Sequence, residues 1–150
     1  MKVFTSIDDL TAAVGEPLGP TPWFLIDQAR VDAFAEATGD AQWIHTDPER
    51  AKAGPFGGTV AHGYLTLSLL PMLAKDLYRV EGATMGVNYG LNRVRFPAPL
   101  LVGSSIRIGG ELLSVEPVPG GAQLTARITV ATDRGDKPCC VAETVSRVYF

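Results

Sequence analysis

Between residues 61 and 78 the chain is apolar on nearly every side of a helical wheel. Leu65, Leu69, Leu73 and Leu77 recur every fourth residue, and Leu67, Leu70 and Met72 fill the remaining faces. A helix of this kind has to be wrapped by other parts of the chain. His62, Thr66, Ser68, Pro71, Lys75 and Asp76 interrupt it too often for a bilayer span, so the pattern predicts a long helix buried in protein. The wrapping follows. Residues 84–94, 104–115, 122–132 and 137–149 are rich in Val, Ile, Thr and aromatic side chains. Ile106/Ile108 and Leu124/Ala126/Ile128/Val130 alternate with the two-residue period of half-buried strands. Pro97-Ala98-Pro99, residues 117–121 and Asp133-Arg134-Gly135-Asp136 supply turns between them. One buried helix followed by antiparallel strands predicts an α+β fold whose sheet curls round the helix.

The first half is less regular. Ile7, Leu10, Ala13 and Val14 mark a short helical patch, and a Gly/Pro-rich connector spans residues 15–22. Asp27 is placed to cap a helix carrying Val31, Phe34, Ala35 and Ala37, with Gly39 as its left-handed stop. Asp47-Pro48-Glu49 reads as a cap, first-turn proline and early acid opening another short helix. No repeat or linker divides the pattern, so residues 1–150 are expected to form a single domain.

Composition narrows the class. Apolar residues make up 46% and charged residues 19%, which disfavours disorder. The thirteen Lys and Arg residues are scattered and the net charge is −3, which disfavours a nucleic-acid partner. The N-terminus acquires Asp8 and Asp9 before any long apolar run, so no signal peptide and no membrane anchor is expected. Cys139 and Cys140 are adjacent, and strand neighbours point to opposite faces, so they are expected as two reduced thiols in a cytoplasmic protein.

Chemistry concentrates in two segments. In Thr38-Gly39-Asp40-Ala41-Gln42-Trp43-Ile44-His45, an acid and an imidazole lie five residues apart just after a helix ends. A carboxylate near a histidine can hold its tautomer, raise its basicity or share a water with it. The plainer alternative is that Asp40 caps the next turn and His45 is a loop histidine. In Gly57-Gly58-Thr59-Val60-Ala61-His62-Gly63-Tyr64, glycines lead into the apolar helix. Backbone N–H groups at a helix start have no intrahelical partner, and Gly63 is the candidate donor to a developing oxyanion. Glycines that only permit close packing are the alternative. His62 is expected as a helix-start imidazole bonded to backbone, with a second acid–base group as the other reading. Two histidines without a cysteine or carboxylate cluster make a poor zinc site, and no dinucleotide fingerprint is present, so neither metal nor redox cofactor is expected.

Taken together, Phe34, Thr38-Gly39-Asp40, Ile44-His45 and Ala51, with Phe56-Gly57-Gly58-Thr59-Val60-Ala61-His62-Gly63, resemble the MaoC-like, (R)-specific enoyl-CoA hydratase (hydratase 2) family. Residues 88–99, Asn88-Tyr89-Gly90-Leu91-Asn92-Arg93-Val94-Arg95-Phe96-Pro97-Ala98-Pro99, are similar to the single-domain branch that includes NodN-like dehydratases and mycobacterial hydratases. The likeness runs from about residue 23 to the end. It implies a hot-dog fold, an antiparallel sheet wrapped round a long central helix, usually as a homodimer. It implies Asp40 and His45 as catalytic residues and Gly63 as the oxyanion-hole glycine. Many relatives carry Asn-Pro where this chain has Gln42-Trp43, which bears on substrate preference more than on reaction class.

The expected reaction is reversible hydration of trans-2-enoyl-CoA to (R)-3-hydroxyacyl-CoA, with coenzyme A entering as part of the acyl-CoA thioester substrate. Gln42, Trp43, Phe56, Tyr64, Leu65 and Asn88 are candidate substrate contacts, and Tyr89, Asn92 and Arg93 join Asn88 as pocket or dimer-seam residues. The alternatives are an acyl-carrier-protein dehydratase, a hot-dog thioesterase and a non-catalytic acyl-binding hot-dog module.

Overall fold

A computed structural model describes residues 1–150. Local chemistry sets the first elements. Strand β1 (Lys2–Phe4) leads to α1 (Ile7–Ala12), where the Ser6 hydroxyl accepts the Asp9 N–H as N-cap. Strands β2 (Pro17–Leu18) and β3 (Phe24–Leu25) lie either side of a cis Gly19-Pro20 bond. Helix α2 (Gln28–Thr38) starts where the Asp27 carboxylate accepts the Arg30 N–H, and it stops where Gly39 adopts φ 78°. Helix α3 (Trp43–Thr46) is one turn long, and α4 (Pro48–Lys52) opens on Pro48 with Asp47 accepting the Arg50 N–H. The Asp27 and Asp47 caps and the Gly39 stop fall where the sequence places them.

The helix expected over 61–78 is shorter and interrupted. It divides into α5 (Gly63–Ser68), α6 (Leu70–Leu73) and a 3₁₀ turn (Ala74–Asp76), and Tyr78–Val80 forms strand β4. Pro71 is the physical cause, because it has no N–H to return to the preceding turn and its ring crowds that turn's carbonyl. Leu69 keeps right-handed helical angles, so the column continues across the break. Leu65, Leu69, Leu73 and Leu77 are all buried, whereas Met72 is exposed, contrary to the wheel.

The long strands are β5 (Met85–Arg95), β6 (Ser105–Val118), β7 (Gly121–Thr132) and β8 (Cys140–Tyr149). They form one antiparallel sheet in the order β2-β6-β7-β8-β5, with β3 also on β6; β1 and β4 pair separately in parallel. The core lies between this sheet and the α5–α6 column. Ile106, Ile108 and Leu112 of β6, the even positions 122–130 of β7, and Cys140, Ala142 and Val148 of β8 face it.

Strand β5 is an edge, and none of its residues is buried. Two register shifts against β8, at Tyr89 and Asn92, break its alternation. Asn88 stands opposite Ser146 and Leu91 opposite Thr144, so the extra residue Tyr89 brings Leu91 onto the same inward face as Asn88.

Candidate active site

The turn at Gly39 delivers Asp40 and then α3, which carries His45. His45 is buried and fixed from two sides. Its Nδ1–H donates to the Val60 carbonyl at 2.6 Å, and the Val60 N–H donates back to the Ile44 carbonyl at 3.0 Å. Its own carbonyl accepts from Gln28 Nε2 at 2.7 Å, while Gln28 Oε1 accepts the Thr59 hydroxyl at 2.6 Å. A carbonyl can only accept, so Nδ1 carries a proton, and in the neutral ring the free lone pair is therefore on Nε2. That is the tautomer a general base needs.

Asp40 lies beside this ring with its side chain 54% exposed. One donor atom each from Asp40, His45 and His62 falls within 4.8 Å of the other two. His62 is buried, stacks on His45 with centroids 3.8 Å apart and planes at 25°, and meets the Phe34 ring at 5.0 Å. Its Nε2–H donates to the main-chain carbonyl of Asp40 at 2.8 Å and lies 4.0 Å from the Asp40 carboxylate. The expected backbone-bonded imidazole is therefore present, but the backbone it bonds is that of Asp40.

This trio is the only cluster with metal-ligand chemistry, and its geometry suits proton transfer better than ligation. Rings stacked face to face direct their lone pairs side by side rather than onto one point. The His62 nitrogen nearest Asp40 also points its proton at a carbonyl.

Gly63 opens α5 immediately after His62, and as the first helical residue its N–H has no intrahelical partner. A Cβ at this position would come within 2.9 Å of the Phe96 ring, so close packing is a second reason for glycine here. Gly63 and Phe56 border a recess of about 230 Å³ with Thr66, Phe96 and Cys139.

The other candidates are scattered. Gln42 is exposed and precedes α3 without a side-chain cap bond. Trp43 packs on its own loop, with Gly54 beneath the ring and the Arg50 guanidinium 4.4 Å from its centroid. Tyr64 is 71% exposed, its ring edge toward Phe96. Leu65 belongs to the core. Asn88 is separate from Asp40 and His45. It lines a larger, mostly apolar cleft of about 810 Å³ between β5 and the α5–α6 column, with Leu67, Pro71, Ala74, Leu91 and Ile128. Tyr89 stacks under the Arg147 guanidinium at 3.6 Å, and Asn92 donates to Glu143 at 2.7 Å. Gln28 stands outside the sequence motifs and Val60 and Phe96 stand inside them without an assigned role, yet each touches a site residue.

Known proteins resemble this chain in sequence and fold. A family model described as MaoC like domain matches residues 9–134. The chain is 52% identical over 148 residues to 3-hydroxyacyl-thioester dehydratase Z of Mycobacterium tuberculosis, covering 98% of each chain. It is 42% identical over 149 residues to nodulation protein N of Rhizobium leguminosarum bv. viciae, covering 97% of this chain and 92% of that one. An unliganded R-hydratase of Pseudomonas aeruginosa has the same fold, with TM-score 0.72 at 20% identity, covering 95% of this chain and 84% of that one. The sheet wrapped on the α5–α6 column is thus a hot-dog fold, and the chain belongs to the MaoC-like dehydratase family.

Proposed function

We propose that this chain catalyses reversible hydration of trans-2-enoyl-CoA to (R)-3-hydroxyacyl-CoA, with Asp40 and His45 as its acid–base pair. The reaction class, hydro-lyase action on an acyl thioester, accords with membership of the family. The observation that carries the residue assignment is the His45 ring. Its Nδ1 is pinned by Val60, leaving Nε2 bare beside a carboxylate. In this reading His45 Nε2 removes a proton from water as the oxygen bonds to the β-carbon. The Asp40 carboxylate orients that water and relays the proton from the His45 imidazolium to the α-carbon, which returns both groups to their starting states. The Gly63 N–H polarises the thioester carbonyl, so the β-carbon becomes electrophilic. No resident metal or redox cofactor takes part, and coenzyme A arrives as part of the substrate.

The acyl chain is assigned to the 810 Å³ cleft. It is mostly apolar, and it begins at Leu67 and Ser68, one turn along the helix that Gly63 opens. We assign the partner as a second copy of this chain, joined through β5. An eleven-residue edge strand exposing Met85, Val87 and Tyr89 is the kind of surface that folded proteins cover. The buried, unbridged Cys139 and Cys140 accord with a reducing, cytoplasmic location; no helix is long and apolar enough to cross a membrane.

The test is loss of enoyl-thioester absorbance on mixing with crotonyl-CoA, run beside the matching carrier-protein thioester. Asp40→Asn and His45→Gln should each lower kcat by about 10²–10⁴. A folded wild type that hydrates no enoyl-CoA of any chain length refutes the reaction. Variants with undiminished rates refute the site.

A further inference from the structure

We propose that His62 is a positioning residue of this site, holding Asp40 by its main-chain carbonyl and backing the ring of His45. This inference rests on the assignment of Asp40 and His45 as the acid–base pair.

Asp40 is otherwise loosely held. Its carboxylate makes no hydrogen bond, and its N–H reaches the Thr38 hydroxyl only at 3.4 Å. The 2.8 Å bond from His62 Nε2–H to its carbonyl is the one short tether on the residue, and it spans 22 residues of sequence. His62 occupies the N-cap position of α5 but does not cap it, since its side chain makes no bond to the helix. Instead the ring turns away toward Asp40 and lies flat on His45 at 3.8 Å. This orientation leaves His62 Nδ1 buried with no partner. An unpaired buried acceptor carries a standing cost, and such costs persist where geometry matters for function.

Two carbonyls therefore set the two rings in opposite tautomers. Val60 fixes the proton of His45 on Nδ1, and Asp40 fixes that of His62 on Nε2. The His62 ring covers one face of the His45 imidazole, so that ring cannot tilt toward His62 and its Nε2 stays within reach of the Asp40 carboxylate. Releasing the tether lets the carboxylate drift relative to that nitrogen, and small misplacements of a catalytic group reduce turnover steeply.

The chain has only two histidines, so long-range ¹H–¹⁵N imidazole spectra of the wild type contain two ring systems. The expected spectrum shows one Nδ1–H and one Nε2–H neutral tautomer, assigned to His45 and His62 through His62→Gln. A His62 with its proton on Nδ1 overturns the proposal, and this measurement needs no mutant to be active. In the variants, His62→Phe keeps a flat ring without the donor, and His62→Gln restores a side-chain N–H. The expected result is a kcat about 10- to 100-fold lower in His62→Phe with KM within about 3-fold, and a partial return in His62→Gln. Wild-type kcat in a folded His62→Phe overturns the proposal. So does a His62→Gln no better than His62→Phe. Asp40→Asn and His45→Gln are assayed in parallel. If those two stay active, the acid–base assignment itself fails; if they are crippled while His62→Phe is not, only the role of His62 falls.

Discussion

Gln28 is the first residue of α2, a position where a glutamine attracts no notice, yet its amide joins three segments. It donates to the His45 carbonyl and to Asp32, and it accepts from the Thr59 hydroxyl. Gln28→Leu removes all three bonds at similar volume and strands the His45 carbonyl and the Thr59 hydroxyl. The expected cost is about 1–3 kcal/mol of stability, read from urea unfolding, with a fall in kcat that exceeds any change in KM. Residues of this kind mark the boundary of what sequence can tell. Asp40 and His45 are legible because they lie five positions apart, directly after the glycine stop at Gly39. Gln28 bonds partners 17 and 31 residues away, and His62 reaches back 22, so no local spacing announces either contact.

Among the elements, boundaries set by one side chain were predictable, whereas those set by tertiary packing were not. Asp27, Gly39 and Asp47 act on their own neighbours, and their helices begin and end as expected. Leucine spacing runs on past Pro71, so the pattern over 61–78 predicts one helix, and the buried column does continue; only the hydrogen-bond ladder breaks. The bulges of β5 left no trace in its polar and apolar alternation, because Tyr89 and Asn92 find their partners on β8. The start of α5 offers a test at this scale. Gly63→Ala pushes a methyl into the Phe96 ring. It should lower thermal stability by about 1–3 kcal/mol, the range for overpacking. Pairing it with Phe96→Leu should recover most of that stability by calorimetry. If the Gly63 N–H serves the carbonyl, as proposed, the double variant regains stability ahead of kcat.

At the scale of the whole molecule, burial makes the fold sensitive to alkali. Burial, and secondarily the neighbouring Cys140, pushes the Cys139 thiol from an ordinary 9.0 up to about 12. Burial alone pushes Cys140 up to about 11. The folded chain holds both protons more tightly than the unfolded one. Their contribution is intact below pH 9 and is lost as pH rises from about 9 toward 11 and 12. The urea midpoint should fall across that window, and a Cys139→Ala/Cys140→Ala variant should fall less steeply. Assembly gives a second prediction. Val87→Lys and Tyr89→Glu on the β5 edge should shift sedimentation toward the monomer without unfolding the sheet, and a dimer untouched by both places the seam elsewhere.

Strand β5 borders the cleft proposed for the acyl chain on one side and open solvent on the other, with no neighbour to stiffen its outer row. Under the proposed assembly, a second copy splints that wall. Diluting the enzyme past its dissociation point would then loosen the wall and blur discrimination between short and long acyl chains before turnover of the shortest ones declines. Protein concentration itself would become a determinant of selectivity.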